Sequence, residues 1–181
     1  MDLLSAEEGV ARAAELVRAG EVVAFPTDTV YGLAAVPEAA EKVYAAKRRP
    51  ADKQLIAMAA SVEPVAELVE IDERARELME RWWPGALTLV LRTHSGAPPT
   101  LGVRIPDHPL ALAFLRAVGR PVLTTSANLS GSPPAMTAQE VALEGVAAVL
   151  DGGRAPGGRP STVLDLTTEE PRVVRAGPVY P

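Results

Sequence analysis

Short apolar segments typical of buried strands alternate with helical patterns along this 181-residue chain, and this alternation constrains its fold more than any other feature. Predicted strands cover residues 21–25, 54–60, 86–92, 101–105, 121–125, 147–150, 161–166 and 172–175. Predicted helices cover residues 5–20, 37–47, 62–81 with a break near 70–72, and 110–118, followed by a helix that begins at Thr137. The alternation indicates an α/β protein, and the closely spaced final strands favour a mixed sheet over a purely parallel one. Because no repeat or long linker divides the chain, we expect a single domain over residues 1–181.

Helix-capping residues mark the starts of two predicted helices. Ser5 with Glu8, and Thr137 with Glu140, have the spacing of a capping box. Gly20 is a natural terminator of the first of these helices. We therefore expect a continuous helix from residue 5 and another from residue 137.

The composition excludes several kinds of protein. The chain has no cysteine, which rules out disulfides and thiolate metal sites, and its two histidines, His94 and His108, are too few for a histidine-built metal centre. No apolar run approaches the ~20 residues of a membrane-spanning helix and the N-terminal residues lack a signal-peptide pattern, so a cytoplasmic location without membrane contact is expected. The net charge of −5 argues against a protein that coats nucleic acid but is compatible with a local basic groove.

Polar clusters follow several of the predicted strands. Residues 27–33 read Thr-Asp-Thr-Val-Tyr-Gly-Leu, residues 124–134 are rich in Thr, Ser, Asn and Pro, and residues 151–160 contain four glycines and are expected to form a mobile loop. Ligands of α/β proteins commonly bind at the carboxyl ends of strands, where hydroxyl and backbone N–H groups can converge on an anion. We therefore expect these segments to line one cleft, although each alone is also typical of a capped turn or surface loop.

The strongest concentration of positive charge is residues 47–53, Lys-Arg-Arg-Pro-Ala-Asp-Lys, which hold two of the three lysines of the chain. In an acidic protein this concentration indicates a local anion site, and Pro50 would stiffen it. The alternative is a run of solvated charges at the C-terminus of a helix, which also suits the helix dipole. Arg104 lies inside a predicted strand, where a buried arginine needs an anionic partner from the protein or from a ligand.

These groups lack the parts of several familiar active sites. Neither histidine lies beside a motif serine and there is no cysteine, so a serine hydrolase is not favoured. The sequence has neither Gly-x-x-x-x-Gly-Lys-Ser/Thr nor Gly-x-Gly-x-x-Gly after a strand, the signatures of common P-loop and dinucleotide folds. Clustered cations and hydroxyls instead suit the positioning and neutralisation of a polyphosphate, as in phosphoryl or nucleotidyl transfer, and they would equally hold an RNA backbone.

Three segments in order resemble the signature of the YrdC-type domain: Pro-Thr-Asp-Thr-Val-Tyr-Gly-Leu at 26–33, Lys-Arg-Arg-Pro at 47–50 and Ser-Ala-Asn-Leu-Ser-Gly at 126–131, followed by Ser-Thr-Val at 161–163. The resemblance covers nearly the whole chain. It implies a twisted mixed α/β sheet surrounded by helices, with a deep basic groove. It also implies synthesis of threonylcarbamoyl-AMP from L-threonine, bicarbonate or CO₂, and ATP, after which a partner complex transfers the threonylcarbamoyl group to an adenosine beside the anticodon of tRNA.

The same resemblance implies roles for particular residues. Lys47 and Arg49 would be catalytic and would contact the triphosphate and the threonine-derived carboxylate. The further ATP contacts would come from Ser126, Asn128, Ser161 and Arg175. Threonine would be bound by Thr27, Thr29, Tyr31, Arg104 and Thr124. Arg48 and Lys53 would be ordinary surface charges.

The implied reaction has two steps. Carboxylation of the threonine amine gives a carbamate, whose oxygen then attacks the α-phosphorus of ATP and releases pyrophosphate. Mg²⁺ would be carried by ATP rather than held by protein side chains, and no organic cofactor is needed. Longer family members have a histidine where this chain has Met58, and an additional C-terminal domain. The chain is therefore expected to be the short form, working with a separate threonylcarbamoyl-transferase complex.

Two alternatives to the synthase stay open at this point. One is an RNA-binding relative without synthase activity, which would bind tRNA or rRNA. The other is a related domain that transfers a carbamoyl group to a different amine. The motifs alone do not separate these alternatives from the synthase, because all of them would use a cleft lined by cations and hydroxyls.

Overall fold

The computed structural model describes residues 1–6 and 8–181, and one mixed sheet of ten strands runs through this part of the chain. Its strands are β1 (Asp2–Leu4), β2 (Val22–Phe25), β3 (Gly32–Ala35), β4 (Ile56–Met58), β5 (Leu87–Arg92), β6 (Thr100–Arg104), β7 (Val122–Ser126), β8 (Val146–Leu150), β9 (Thr162–Asp165) and β10 (Arg172–Arg175). Their order in the sheet is β1-β8-β2-β3-β7-β4-β6-β5-β9-β10. The sheet contains both parallel pairs, such as β4–β6, and antiparallel pairs, such as β4–β7. The prediction of an α/β fold with a mixed sheet is therefore confirmed.

Five α-helices surround the sheet within the described residues: α1 (Gly9–Arg18), α2 (Ala40–Lys47), α3 (Val62–Ala66), α4 (Glu73–Trp82) and α5 (Pro109–Val118). Short 3₁₀ turns cover Pro37–Ala39 and Ala138–Glu140. Local signals explain the ends of the best-defined helices. The Asp72 carboxylate accepts a hydrogen bond of 2.8 Å from the backbone N–H of Ala75 at the start of α4. Gly119, in the left-handed conformation, ends α5.

Two predicted helix starts are wrong. Helix α1 begins at Gly9 rather than at Ser5, because β1 first pairs with β8 and the chain must turn before the helix. The Ser5 hydroxyl accepts a hydrogen bond from the Glu8 N–H within that turn, at 3.3 Å. The helix expected from Thr137 is only the 3₁₀ turn, because the buried residues after it extend towards β8. Glu140 accepts a 2.6 Å hydrogen bond from the Met136 N–H and does not cap Thr137.

Two strands were not predicted from the sequence. Strand β1 is only three residues long and pairs with β8, which is remote in the sequence. Strand β3 reads Gly-Leu-Ala-Ala, without the β-branched residues that usually mark a strand, yet all four residues are buried. It forms an antiparallel pair with β2 on one side and with β7 on the other, so it lies inside the sheet. Its first residue, Gly32, lines the candidate site.

The core consists of two clusters of buried apolar residues. The first packs α1 and α5 against the β8–β2–β3 side of the sheet, and the Phe25 and Phe114 rings lie 5.1 Å apart between their centroids. The second packs α4 against β5, β6 and β9, with Met79 and Leu89 among its buried side chains. Four neighbouring strands in the middle of the sheet, β3, β7, β4 and β6, carry the candidate site.

Candidate functional site

One pocket lies on a single face of four neighbouring strands, β3, β7, β4 and β6. Directly paired residues in a sheet point to the same face, and three such pairs contribute to the pocket lining. The pairs are Gly32 with Ser126, Ile56 with Thr124, and Met58 with Arg104. Register across the strands, rather than proximity in the sequence, therefore brings these residues together.

Most of the predicted site residues line this pocket. They are Thr27, Thr29, Tyr31, Arg49, Arg104, Thr124, Ser126, Ser161 and Arg175. The pocket volume is about 130 Å³, below the ~300–1,000 Å³ of sites that enclose drug-sized ligands. It suits a small molecule, and a nucleotide bound here would have to extend beyond it.

Hydrogen bonds of the Thr27 hydroxyl stabilise the turn after β2. This oxygen accepts hydrogen bonds from the backbone N–H groups of Thr29 (3.1 Å) and Val30 (3.2 Å) and contacts the Val30 carbonyl oxygen at 2.6 Å. The Thr27 and Thr29 hydroxyl oxygens also lie 3.0 Å apart. Since both side chains are buried and paired with each other, their first role is to fix the backbone of the turn.

Arg104 is fixed by the protein itself. Its Nη2 donates to the Asp28 carboxylate at 2.6 Å, its Nη1 to the Thr29 hydroxyl at 3.0 Å, and its Nε to the Gly85 carbonyl oxygen at 2.9 Å. Burial lowers the pKa of Arg104, whereas the charge of Asp28 opposes that shift. These contacts use three of the five guanidinium N–H groups. The anionic partner that the sequence required is therefore Asp28, and two N–H groups remain for a ligand.

Ser161 holds Arg175 beside the pocket. Arg175 donates from Nε to the Ser161 carbonyl oxygen at 3.0 Å and from Nη2 to the Ser161 hydroxyl at 3.2 Å. The Ser161 hydroxyl also lies 2.8 Å from that of Thr88. Desolvation first, and then the positive charges of Arg104 and Arg49, lower the pKa of Arg175. Mutual repulsion of these three arginines would be relieved by an anion bound among them.

Arg49 and Lys47 have different environments although only one residue separates them. Arg49 lines the pocket, and it donates to the backbone oxygens of Lys53 (2.8 Å) and Gln54 (2.9 Å). Helix α2 ends at Lys47, and the next residue, Arg48, has a left-handed backbone (φ 49°). The left-handed turn reverses the chain and separates the two side chains.

Lys47 does not line the pocket, which differs from its expected contact with the triphosphate. Its side chain is buried, and its Nζ donates to the backbone oxygens of Ser126 and Asn128, the latter at 2.6 Å. Burial and, to a lesser extent, the charge of Arg49 lower the pKa of Lys47 to about 8. In the other direction, the Lys47 carbonyl accepts a hydrogen bond from the Ser130 N–H at 3.0 Å. Lys47 therefore anchors the loop after β7 and the last residue of that strand, Ser126, which does line the pocket.

Asn128 also lies outside the pocket lining. Its side-chain N–H groups donate to the backbone oxygens of Leu129 and Ser132, both at 2.8 Å. Its side chain borders a different surface cavity that includes Pro133 and Glu140. The structure thus assigns Asn128 a role in shaping its own loop.

Tyr31 reaches the pocket, but its hydroxyl is engaged elsewhere. It donates to the Gly153 carbonyl oxygen at 2.7 Å and accepts from the Gly152 N–H at 3.2 Å. Further along the same loop, the Gly158 N–H donates to the Thr29 carbonyl oxygen at 3.1 Å. A Cβ on Gly157 would lie only 2.6 Å from the Asp28 carbonyl oxygen, so glycine is required for this close approach. The loop at 151–160, expected to be mobile, is tied to the turn after β2.

Several lining residues were missed by sequence reasoning: Gln54, Ile56, Met58 and Pro160. A strand over 54–60 was predicted, and its alternation could have shown that residues 56 and 58 share one face. The signal that this face borders a ligand site was absent, because apolar strand residues usually face the core. Asp28 was recognised as part of a polar turn, but its pairing with Arg104 depends on tertiary structure.

A larger cavity, of about 330 Å³, lies behind the same strands. Leu55 and Ala57, which alternate with the pocket residues of β4, face this cavity together with Leu123. Its walls are mainly apolar, and it contains none of the predicted site residues. Size alone therefore does not identify the functional site, and the convergence of cations and hydroxyls favours the smaller pocket.

Two further features concern metals and membranes. Over residues 1–6 and 8–181, no group of three or more His, Cys, Asp or Glu side chains is arranged to hold a metal ion. No helix in that part of the chain is long and apolar enough to span a membrane.

Comparison with solved structures identifies the class of fold. The structure of P. abyssi Sua5 complexed with L-threonine aligns with a TM-score of 0.93 and 38% identity, over 98% of this chain and 58% of that one. The E. coli YciO structure aligns with a TM-score of 0.86 and 29% identity, over 97% of this chain and 94% of that one. The fold is thus a mixed α/β fold of the Sua5 and YciO type.

Sequence comparison then places the chain in a family. The Sua5/YciO/YrdC family model, described as "Telomere recombination", matches residues 15–177, so the chain belongs to this family. The Bacillus subtilis (strain 168) protein named threonylcarbamoyl-AMP synthase is 43% identical over 192 residues, covering 97% of this chain and 55% of that protein. The Pyrococcus abyssi protein of the same name is 42% identical, covering 91% of this chain and 53% of that protein. The chain spans about half the length of these two relatives.

Proposed function

We propose that this protein is an L-threonylcarbamoyladenylate synthase, a nucleotidyltransferase that forms threonylcarbamoyl-AMP and pyrophosphate from L-threonine, bicarbonate or CO₂, and ATP. The observation that carries the proposal is the convergence of Arg49, Arg104 and Arg175 on one small pocket lined by hydroxyls. Relatives with the name threonylcarbamoyl-AMP synthase, and a family structure complexed with L-threonine, support the same function.

In this mechanism the cations bring two anions together. The threonine amine takes up CO₂ and loses a proton to give a carbamate. A carbamate oxygen then attacks the α-phosphorus of ATP, and the bond from that phosphorus to the bridging oxygen of pyrophosphate breaks. Without neutralisation, repulsion between carbamate and triphosphate in a partly dry cleft would cost several kcal/mol. An arginine already fixed by neutral protein groups, such as Arg49 held by two backbone oxygens, supplies this neutralisation without reorganising.

In this proposal the pocket is large enough to hold the amino acid but too small to enclose the nucleotide as well. The cavity of about 130 Å³ takes the amino acid, between the Thr27–Val30 turn and the β4–β7 surface. The nucleotide extends outwards past Arg49 and Ser126, and Arg175 closes against its phosphates. Lys47 acts through the loop that it anchors, because its ammonium already binds the oxygens of that loop.

The pocket lining fits a magnesium ion that arrives with ATP. Within residues 1–6 and 8–181, the pocket lining supplies arginines, hydroxyls and amide groups but no carboxylate, and the nearby Asp28 is paired with Arg104. Mg²⁺ prefers carboxylate and phosphate oxygens, so the triphosphate would provide its ligands. The ion would shield charge on the leaving pyrophosphate.

The product is chemically suited to a further transfer. In this proposal, a separate threonylcarbamoyl-transferase complex moves the threonylcarbamoyl group to tRNA, and the cytoplasmic location expected from the sequence belongs to the same proposal. Direct contact of this chain with tRNA is not required, because the activated intermediate can be passed on as a small molecule.

The test is a reaction with ATP, isotopically labelled bicarbonate and L-threonine. We expect labelled threonylcarbamoyl-AMP and pyrophosphate in equal amounts, each dependent on threonine. Folded protein that releases no threonine-dependent pyrophosphate would overturn the proposal. In that case, tight and strongly salt-dependent RNA binding would favour the RNA-binding alternative. Turnover with another amine would favour the alternative of a related domain that transfers a carbamoyl group to that amine.

Two neighbouring arginines provide a matched pair of variants. Arg49→Ala should lower the catalytic efficiency by roughly 10- to 100-fold, the loss expected for one charge-assisted contact to a phosphate or carboxylate. Arg48→Ala should leave efficiency nearly unchanged, because Arg48 is exposed and absent from the pocket lining. Equal effects of both substitutions would contradict the placement of Arg49.

A further inference from the structure

Two arginines hold the turn at residues 166–171, which joins β9 to β10. Arg74, in the first turn of helix α4, donates to three backbone oxygens of this turn, those of Glu169 (2.8 Å), Leu166 (2.9 Å) and Thr168 (3.3 Å). Arg92, the last residue of β5, donates to the Thr167 backbone oxygen at 2.9 Å. Four successive backbone oxygens are therefore bound by Arg74 and Arg92, which we call the arginine clamp.

Arg74 is committed to this turn rather than to an ion pair. The Asp72 carboxylate lies 3.9 Å from its Nη2, which is too far for a hydrogen bond. Its Nε is buried and has no hydrogen-bond partner among residues 1–6 and 8–181. Because hydrogen bonds from a charged donor are stronger than those between neutral groups, the three bonds of Arg74 join the turn firmly to helix α4.

Strand β10 is weakly held by packing. It is the terminal strand of the sheet, it pairs with β9, and all four of its residues are exposed. The pairing with β9 is irregular, because the register shifts between Val173 and Arg175. A segment with few buried contacts opens or shifts more easily than the core. The arginine clamp therefore fixes the end of β10 that its own packing leaves weakly restrained.

Strand β10 carries Arg175 at the end opposite the turn. The Arg175 side chain lines the pocket and donates to the Ser161 carbonyl oxygen at 3.0 Å and to the Ser161 hydroxyl at 3.2 Å. In the proposed function, this guanidinium closes against the phosphates of ATP. A displacement of about 1 Å, even when it originates far from the reacting atoms, is enough to weaken such a contact.

We propose that Arg74 and Arg92 are positioning residues, which hold Arg175 at the nucleotide by fixing the turn between β9 and β10. The inference rests on the proposed function and adds two residues that contact neither substrate. Both arginines border a surface cavity that shares no lining residue with the pocket, among residues 1–6 and 8–181. Their effect on ATP therefore passes through β10.

The experiment is a double-mutant cycle between Arg74 and Arg175, in which isothermal titration calorimetry measures the affinity of the full chain for ATP with Mg²⁺. Arg175→Ala should weaken binding about 10- to 100-fold, the loss expected for one charge-assisted contact. Arg74→Ala should weaken it about 3- to 10-fold, because Arg175 is displaced rather than removed. In the Arg175→Ala background, Arg74→Ala should change the affinity by less than about 2-fold, since the side chain through which it acts is absent.

Two results of this cycle would overturn the inference. One is an equal effect of Arg74→Ala in the presence and absence of Arg175, which would mean that the two residues act independently. The other is an ATP affinity that Arg175→Ala leaves unchanged, because the clamp would then have no contact to position.

Arg74→Lys and Arg76→Ala separate positioning from the loss of a positive charge. Lysine keeps the charge but lacks the planar fork that binds several oxygens at once, so Arg74→Lys should lose nearly as much ATP affinity as Arg74→Ala. Arg76 is exposed on the same helix and borders a different surface cavity, so Arg76→Ala should change the affinity by less than about 2-fold. Wild-type affinity in Arg74→Lys, or equal losses in Arg74→Ala and Arg76→Ala, would indicate an effect of charge alone and would overturn the inference.

Arg92→Ala tests the arginine clamp without relying on the folding of the Arg74 variants. It removes one exposed hydrogen bond to the same turn, so the protein should fold normally and bind ATP about 2- to 3-fold more weakly. Threonine affinity should change by less than about 2-fold in Arg92→Ala and Arg74→Ala, because the proposed position of the amino acid is at the Thr27–Val30 turn and the β4–β7 surface. Equal weakening of threonine and ATP binding would mean that the whole fold had loosened, and the inference would be wrong.

Specific outcomes separate this inference from the proposed function. If wild-type protein makes threonylcarbamoyl-AMP but Arg74→Ala acts equally with and without Arg175, only the inference fails. If wild-type protein neither binds ATP nor forms threonylcarbamoyl-AMP, the proposed function fails and the inference fails with it.

Discussion

The ammonium of Lys47 donates a hydrogen bond of 2.6 Å to the backbone oxygen of Asn128 and so joins the end of helix α2 to the loop after β7. The family resemblance implies a catalytic Lys47 in contact with the triphosphate. The structure instead predicts that Lys47→Ala destabilises the fold by about 2–4 kcal/mol, because two buried carbonyl oxygens lose their donor and the side chain leaves a cavity. Urea denaturation measures this change.

Lys53→Ala is the control for this prediction. Lys53 is exposed and lies in the same charged segment, so its removal should change the free energy of unfolding by no more than about 0.5 kcal/mol. If Lys47→Ala were as stable as Lys53→Ala while losing activity, the anchoring role would be wrong and direct ligand contact would be favoured.

The lowered pKa of Lys47 gives a pH dependence of defined sign. The pKa is about 8 in the folded protein, against a reference value of 10.5. Between these values the unfolded chain binds more protons at this residue, so its contribution to stability increases as the pH rises. The neutral amine keeps two N–H groups for its two carbonyl partners. We expect the difference in unfolding free energy between wild-type protein and Lys47→Ala to be larger at pH 9.5 than at pH 7. A constant difference, measured by urea denaturation at both pH values, would contradict the lowered pKa.

The buried ion pair between Asp28 and Arg104 gives a third prediction. The two side chains are only 13% and 3% exposed, and their closest atoms are 2.6 Å apart. Asp28→Ala should destabilise the protein by about 3–5 kcal/mol, because it leaves the arginine buried without its counter-charge. Asp28→Asn should cost less, since its amide oxygen can still accept from the guanidinium. Chemical denaturation of both variants tests this order.

An exposed ion pair serves as the comparison. Arg120 lies 3.0 Å from the Glu38 carboxylate, and the two side chains are 47% and 66% exposed. Arg120→Ala should cost no more than about 1 kcal/mol, as is usual for pairs open to solvent. Similar losses for Asp28→Ala and Arg120→Ala would mean that burial does not govern the first pair.

The fold was largely predictable because its signals are local. Buried strands such as β5 are apolar runs of recognisable length, and helix α5 has a proline at its start and a glycine at its end. Strand β3 was missed because its side chains are small and its strand character comes from burial between two neighbours. The helix predicted to begin at Thr137 is only a 3₁₀ turn at Ala138–Glu140, because the path of the chain into β8 outweighs the local capping pattern.

Most residues of the candidate site could be predicted from the sequence, but the directions of their side chains could not. Resemblance to a family identified the segments, and most of their polar residues do meet in one pocket. The direction of each side chain depends on features that the sequence does not display. Lys47 is buried at the end of helix α2, and the left-handed backbone of Arg48 then redirects the chain so that Arg49 lines the pocket. The Thr124 hydroxyl has no hydrogen-bond partner within residues 1–6 and 8–181, and this is apparent only from the three-dimensional structure.

Tyr31→Phe tests whether the segment at 151–160 is held closed by a single side chain. The substitution removes the hydroxyl that donates to Gly153 and accepts from Gly152, at 2.7 and 3.2 Å. Burial raises the pKa of Tyr31 above its usual value of 10.0, so the hydroxyl remains a donor at physiological pH. Its loss should make opening of the loop easier by about 1 kcal/mol, or roughly 5-fold in the open population.

Arg154 within the loop has a side chain that is 70% exposed, and trypsin should cleave after it about 5-fold faster in the variant. Tyr44→Phe, on helix α2 and away from this loop, should leave that rate unchanged. Equal cleavage rates in wild-type protein and Tyr31→Phe would show that the glycine packing against the Asp28 turn is sufficient to hold the loop.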